Sequence, residues 1–155
     1  MCLISRTNKP KVAKKDIVCY KVLRRTNLFW SVSGFETFYT SDPLPDTVIS
    51  GKEDFIAQGK FRCELSEGGV IEHIFCGKYN IDYGQIHTYK SLKDVKNSFD
   101  CSIKSLKDDH EFIVFKCVIP QGTKYFKGKF QTLNRMTFGV KSYCSDKIRF
   151  VEQIN

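Results

Sequence analysis

The densest group of hydrogen-bonding and ionisable side chains is the segment GQIHTYKS. There His87, Tyr89, Lys90 and Ser91 stand just ahead of a helical pattern. A helix start presents free backbone N–H groups and the positive end of the helix dipole, which together attract anions. Lys90 would add a full charge. The same residues also suit a plain strand-to-helix connection in which Ser91 only caps the helix. A second group, IPQGTKYFKGKF, alternates lysine with aromatic residues after a Pro-Gly turn and brings Lys124 and Tyr125 forward. Exposed aromatic rings beside lysine are what base stacking with phosphate pairing requires. An amphipathic edge strand guarded by lysines shows the same alternation. With Lys21 and Arg24 of DIVCYKVLRR, these groups define a candidate anion site. Lys21, Arg24, His87, Lys90 and Lys124 would supply charge, and Tyr89 and Tyr125 would stack.

Other chemistry has little support. The chain has no phosphate-binding Walker loop, no dinucleotide G-x-G-x-x-G, no G-x-S-x-G elbow and no H-E-x-x-H. His73 lies mid-strand in VIEHIF. His110 follows two aspartates, but consecutive strand residues point to opposite faces and do not converge on a metal. The expectation is no catalytic residue, no metal and no cofactor. The seven cysteines are odd in number and widely spaced, with no C-x-x-C pair. Several sit in apolar runs, where a reduced thiol behaves as a small hydrophobe. Reduced core thiols point to a cytoplasmic setting.

Charge is distributed more tellingly than its total of +8 suggests. Residues 1–25 carry eight basic groups and one acid, residues 26–115 nine against fourteen, and residues 116–149 eight against one. Two basic ends flank an acidic middle. If the ends meet, they form one positive surface that draws phosphate-bearing or acidic partners. The plainer alternative is that lysine supplies solubility. No apolar run nears the ~18 residues that span a bilayer. The opening segment lacks a signal-peptide pattern, and Met1 reads as a native start.

These residues have to be placed by a strand-rich framework. Residues 1–15 read as a basic polar arm, followed by a single α+β domain over 16–155. Residues 16–24 and 111–119 are near-continuous apolar runs, as expected of central strands buried on both faces. Further strands are expected within 28–40, 60–65, 70–76, 86–90, 124–130 and 145–154. SEGG at 66–69 suits a hairpin turn and PQG at 120–122 a tight one, while 41–54 has loop composition. The helix is expected over 92–106, with Leu92, Val95 and Phe99 on its buried face. NRMTFGVKS is ambiguous. Strands, then a helix, then strands argue for an α+β, mostly antiparallel fold with one or two helices.

MCLISRTNKPKVAKKDIVCYKVL, GQIHTYKSL, VIPQGTKYFKG and SYCSDKI together resemble a group of small uncharacterised proteins of gut Bacteroidetes and their phages. The shared features are the MCL start, the D-I-x-C-Y-K-V-L strand, the I-P-x-G-T-x-Y-x-x-G turn and the Y-x-S-x-x-I end. The resemblance implies a bacterial or phage-infected cell and assigns no activity or catalytic residue. The expectation is therefore a non-enzymatic binding module. Its partner would be an anionic small molecule, a nucleic acid or an acidic host protein, sequestered or blocked. The alternative is a small ADP-ribosyltransferase-like enzyme, with loose counterparts in DIVCYKVLRR, IHTYKS and the late Glu152.

Overall fold

The computed structural model describes residues 3–27, 33–37, 43–59, 63–65, 79–81, 85–102, 112–130 and 140–154. In chain order the first elements are β1 (Leu3–Ser5), β2 (Lys11–Val12), β3 (Ile17–Asn27), β4 (Ser33–Thr37), β5 (Pro43–Leu44) and α1 (Asp46–Ile49). There follow β6 (Phe55–Ile56), β7 (Cys63–Leu65), β8 (Tyr79–Ile81), β9 (Ile86–Tyr89) and α2 (Leu92–Ser102). β10 (Phe112–Ile119), β11 (Lys124–Phe130), β12 (Val140–Ser145) and β13 (Lys147–Ile154) complete the series. The fold is β-rich, and its described ladders are antiparallel.

The sheet runs β6-β13-β10-β3-β9-β12-β11-β1-β8-β7, with β2 added to β11 and β4 to β3. β10 and β11 are joined by the turn 120–123, and β12 and β13 by Asp146 alone, yet other strands lie between the members of each pair. Links that short require the sheet to curl back so that its two halves face each other. The interior then takes Cys19 and Leu23 of β3, Phe115 and Cys117 of β10, Phe150 of β13, and Ile86 and Tyr143 of β9 and β12. A second cluster joins Leu3, Ile81, Phe126 and Cys144 to Val95 of α2. Along β11, Phe126 is buried while Tyr125 and Lys127 are not, which is the alternation a strand imposes.

The turn after β10 depends on Gly122. Its φ of 82° suits the third position of a turn in which the Thr123 N–H donates to the Pro120 carbonyl at 3.1 Å. This turn also ties down the link from β2 to β3. The Gln121 N–H donates to Asp16 Oδ1 at 2.9 Å, and Ala13 exchanges backbone bonds with Thr123 and Gly122.

Several expectations are corrected. The N-terminal segment is not a detached arm: Leu3–Ser5 is a fully buried strand between β11 and β8, and Lys11–Val12 pairs with β11. The short apolar LIS is enough for one three-residue strand. β11 is consequently an interior strand, and its lysines do not guard an edge. β3 is central and buried on both faces over Lys21–Leu23 but not along its whole length, and β10 is central but fully buried on one face only. β10 alternates buried and half-buried residues, and Val18 of β3 is 46% exposed. On α2, Val95 is buried as expected, together with Ser98, whereas Leu92 is exposed; the side chain of Phe99 lies outside the described residues. The loop-like 41–54 holds β5 and α1; of the ambiguous NRMTFGVKS, Val140, Lys141 and Ser142 open β12 and residues 134–139 lie outside the described residues. The expected hairpin turn at 66–69, the return strand 70–76 and DDH at 108–110 lie outside the described residues.

Candidate functional site

The two basic segments meet because β1 and β2 both pair with β11. The ladders set Ile4 opposite Lys129 and Lys11 opposite Tyr125. On the other side of β11, β12 sets Tyr143 opposite Lys127 and Lys141 opposite Lys129. The residues that share this face border a groove of about 430 Å³. Arg6, Lys9 and Lys11 enter it from the N-terminal segment, Lys127 and Lys129 from β11, Lys141 from β12, and Lys90 from the end of β9. No carboxylate is among its described lining residues. The ion pairs Lys116–Glu152 and Arg149–Asp54 lie on β10 and β13, not in the groove.

A sheet does not gain from this arrangement. Residues directly opposite on antiparallel strands have Cβ atoms about 5 Å apart, and like charges placed there destabilise the pair. Lys129 and Lys141 are such a pair, and Lys129 is half-buried, so water screens it incompletely. An anion between them would relieve the repulsion. Gly128 makes the wall possible: a Cβ there would run into the Ile4 carbonyl oxygen, so a larger residue would push β1 away from β11. The sharp turn from β1 is held by Ser5, whose Oγ accepts from the Thr7 N–H at 3.2 Å.

Tyr125 stands at one end of the lysine row, half-exposed, with its ring edge-on to Tyr143 at 5.9 Å and 76°. At the other end, the Lys90 N–H donates to the Lys141 carbonyl at 3.0 Å, which draws the end of β9 against β12. The start of α2 is not an open anion site. Ser91 Oγ accepts from the Asp94 N–H at 3.2 Å, and the Ser91 hydroxyl donates to Asp94 Oδ2. Asp94 Oδ1 also accepts from the Lys141 N–H at 3.1 Å. The chain's own carboxylate thus occupies the helix start, and the Asp94 charge sits behind Lys141.

Of the candidate residues named from the sequence, Lys90 and Tyr125 line the groove. Lys124 is exposed on β11, on the face opposite Tyr125, and pairs with Val12. Arg24 is half-buried on β3 between Phe112 and Glu36. Lys21 and Tyr89 require correction, because both are interior. Lys21 is 9% exposed and donates to the His87 carbonyl at 3.0 Å. Burial lowers its pKa from 10.5 to about 8, partly offset by the thiols of Cys117, Cys144 and Cys19. Tyr89 is 8% exposed and its hydroxyl bonds to Ser98 Oγ at 3.1 Å, so its ring cannot stack on a solute. His87 is half-buried with Nε2 3.7 Å from Cys144 Sγ. Arg6, Lys9, Lys11, Lys127, Lys129 and Lys141 were not singled out by spacing. The available signal was charge: they are much of the excess in the two basic ends.

The segments that loosely match an ADP-ribosyltransferase fall on β3, β9 and β13, with β10 between β13 and β3. Glu152 is paired with Lys116 at 3.0 Å. Among the described residues no group of His, Cys, Asp and Glu is arranged to hold a metal, and no helix is long and apolar enough to cross a membrane. Cys19, Cys117 and Cys144 are buried thiols outside any disulfide. No protein-family model, curated protein or solved structure matches the chain, so the groove is read from its own geometry.

Proposed function

We propose that the protein is a non-enzymatic binding module that holds an anionic, phosphate-bearing partner in the groove beside β11. The observation that carries this reading is the Lys129–Lys141 pair, set directly opposite in a groove lined by seven cations and no described carboxylate. A local arrangement that costs the free protein stability is most simply explained by a partner that recovers it. Such a module acts by sequestering or masking its partner rather than converting it, and in a phage-infected cell the partner would be a host factor.

The test is thermal unfolding with sodium tripolyphosphate as the probe. At a hundredfold excess over Kd, binding adds about 2.7 kcal/mol, which raises the Tm of a domain of this size by roughly 5 °C or more. Lys129→Ser/Lys141→Ser should abolish most of that shift. Without ligand, the same variant should be more stable than wild type by about 0.2–1 kcal/mol at low salt, because a like-charge pair has been removed. An unchanged wild-type Tm across the tripolyphosphate range would overturn the proposal.

A further inference from the structure

Resting on that reading, we infer that the groove takes single-stranded nucleic acid, with the sugar–phosphate backbone laid along β11. The cations do not converge on one point, as they would around a single phosphate group. Lys127 and Lys129 are alternate residues of one strand, about 6.8 Å apart along it, close to the spacing of successive phosphates in an extended single strand. Lys141 and Lys11 widen this row on the flanking strands, about 4.8 Å to either side. The row therefore follows a line, and Tyr125 at its end is placed to stack on a base of the same strand.

The backbone argues the same way. Compact phosphate sites use free main-chain N–H groups at helix starts or glycine-rich turns. Here β11 is laddered to β12 on one side and to β1 and β2 on the other. The start of α2 is filled by Ser91 and Asp94. What remains is long, flexible lysine side chains, which track a charged backbone without reading bases. A folded acidic protein would need about 800 Å² of matching surface. The groove is lined by a short row of lysines beside β11, which offers contacts to one extended chain.

Fluorescence anisotropy with labelled dT15 tests the inference at 50 to 200 mM NaCl. Engagement of four phosphates should weaken binding about 50-fold over that range, since the single-strand slope is about −0.7 per phosphate. Lys129→Ser/Lys141→Ser should reduce the slope by about 1.4. Lys96→Ser, an exposed substitution on α2 outside the groove, should leave the slope unchanged. Unlabelled dT15 should compete at least tenfold better than tripolyphosphate, duplex DNA of equal length or poly-glutamate. If tripolyphosphate stabilises the protein but dT15 competes no better, the groove is a small-anion site: the nucleic-acid inference falls and the proposed function stands. If duplex or poly-glutamate competes best, the inference also falls. If neither tripolyphosphate nor dT15 binds, both fall.

Discussion

Lys21 of β3 donates its side-chain N–H to the main-chain carbonyl of His87 on β9, 3.0 Å away. β3 and β9 are also where the two halves of the sheet join, through a ladder that registers Tyr20 against Tyr89. An ammonium group thus crosslinks this seam from inside the protein, beside the thiols of Cys19, Cys117 and Cys144 and, among the described residues, away from any carboxylate.

That placement predicts an unusual pH profile. Unfolding returns Lys21 from about 8 to 10.5, so between those values the unfolded chain binds more protons than the native one, and stability rises with pH. Below about 8 the cost of the buried charge is present in full. The thiols act oppositely. Burial raises Cys19 from 9.0 to about 12 and raises Cys117 as well, so above pH 9 the unfolded chain loses protons that the native one keeps. From pH 8 to 9 the Lys21 contribution rises by about 1 kcal/mol and the two thiols offset about 0.7 of it, so stability should climb by only about 0.3 kcal/mol and then decline. Urea titrations from pH 7 to 10.5 measure this. Lys21→Met should remove the climb and be at least as stable as wild type at pH 7, since an apolar chain of similar volume replaces an unpaired buried charge. A wild-type profile that falls steadily from pH 7 would contradict the assignment.

Two glycines should respond differently to alanine. At Gly128 the new Cβ collides with the Ile4 carbonyl oxygen, and β1 must shift. Gly128→Ala should cost about 1–3 kcal/mol and weaken tripolyphosphate binding, because one wall of the groove moves. At Gly122 nothing lies within 4 Å of the Cβ, and the obstacle is the φ of +82°. Gly122→Ala should cost about 1–2 kcal/mol and leave tripolyphosphate affinity unchanged. Urea midpoints combined with tripolyphosphate titrations separate the two effects.

Asp94 should act as a brake on the groove. Asp94→Asn keeps an oxygen for the Lys141 N–H and a side chain for Ser91, but removes the negative charge behind Lys141. Tripolyphosphate should bind about two- to fivefold more tightly at low salt, the range of one exposed ion-pair interaction. That gain should fade at 1 M salt, where the screening length is about 3 Å. Calorimetric titration at both ionic strengths measures it, and weaker binding by the variant at low salt would contradict the account.

The strands at the ends of the chain were legible because their patterns are local. IVCYKVL, FIVFKCVI, KYFKGKF and KIRFVEQI each lie within an observed strand. The charge split likewise pointed to a single basic surface. What spacing could not give was the route by which the basic ends meet. That route depends on LIS, three residues whose burial is decided by partners about 75 positions away on β8 and about 125 positions away on β11. For the same reason Lys21 looked available. Its neighbours in sequence are those of an ordinary strand lysine, and only the curl of the sheet carries it inside. Tyr89 was misplaced because Ser98, which satisfies its hydroxyl, lies on the helix that follows.

The pairing of Leu3 with Phe130 and of Ser5 with Gly128 also sets a schedule for biosynthesis. A ribosome adding roughly 5–20 residues per second releases β1 many seconds before β11 exists to receive it. The nascent chain therefore carries the cations of residues 6–11 without the opposing wall, and the groove forms only after β11 and Lys141 have been made. A prematurely terminated product keeps the positive charge of its first segment but has lost the surface that would give it selectivity.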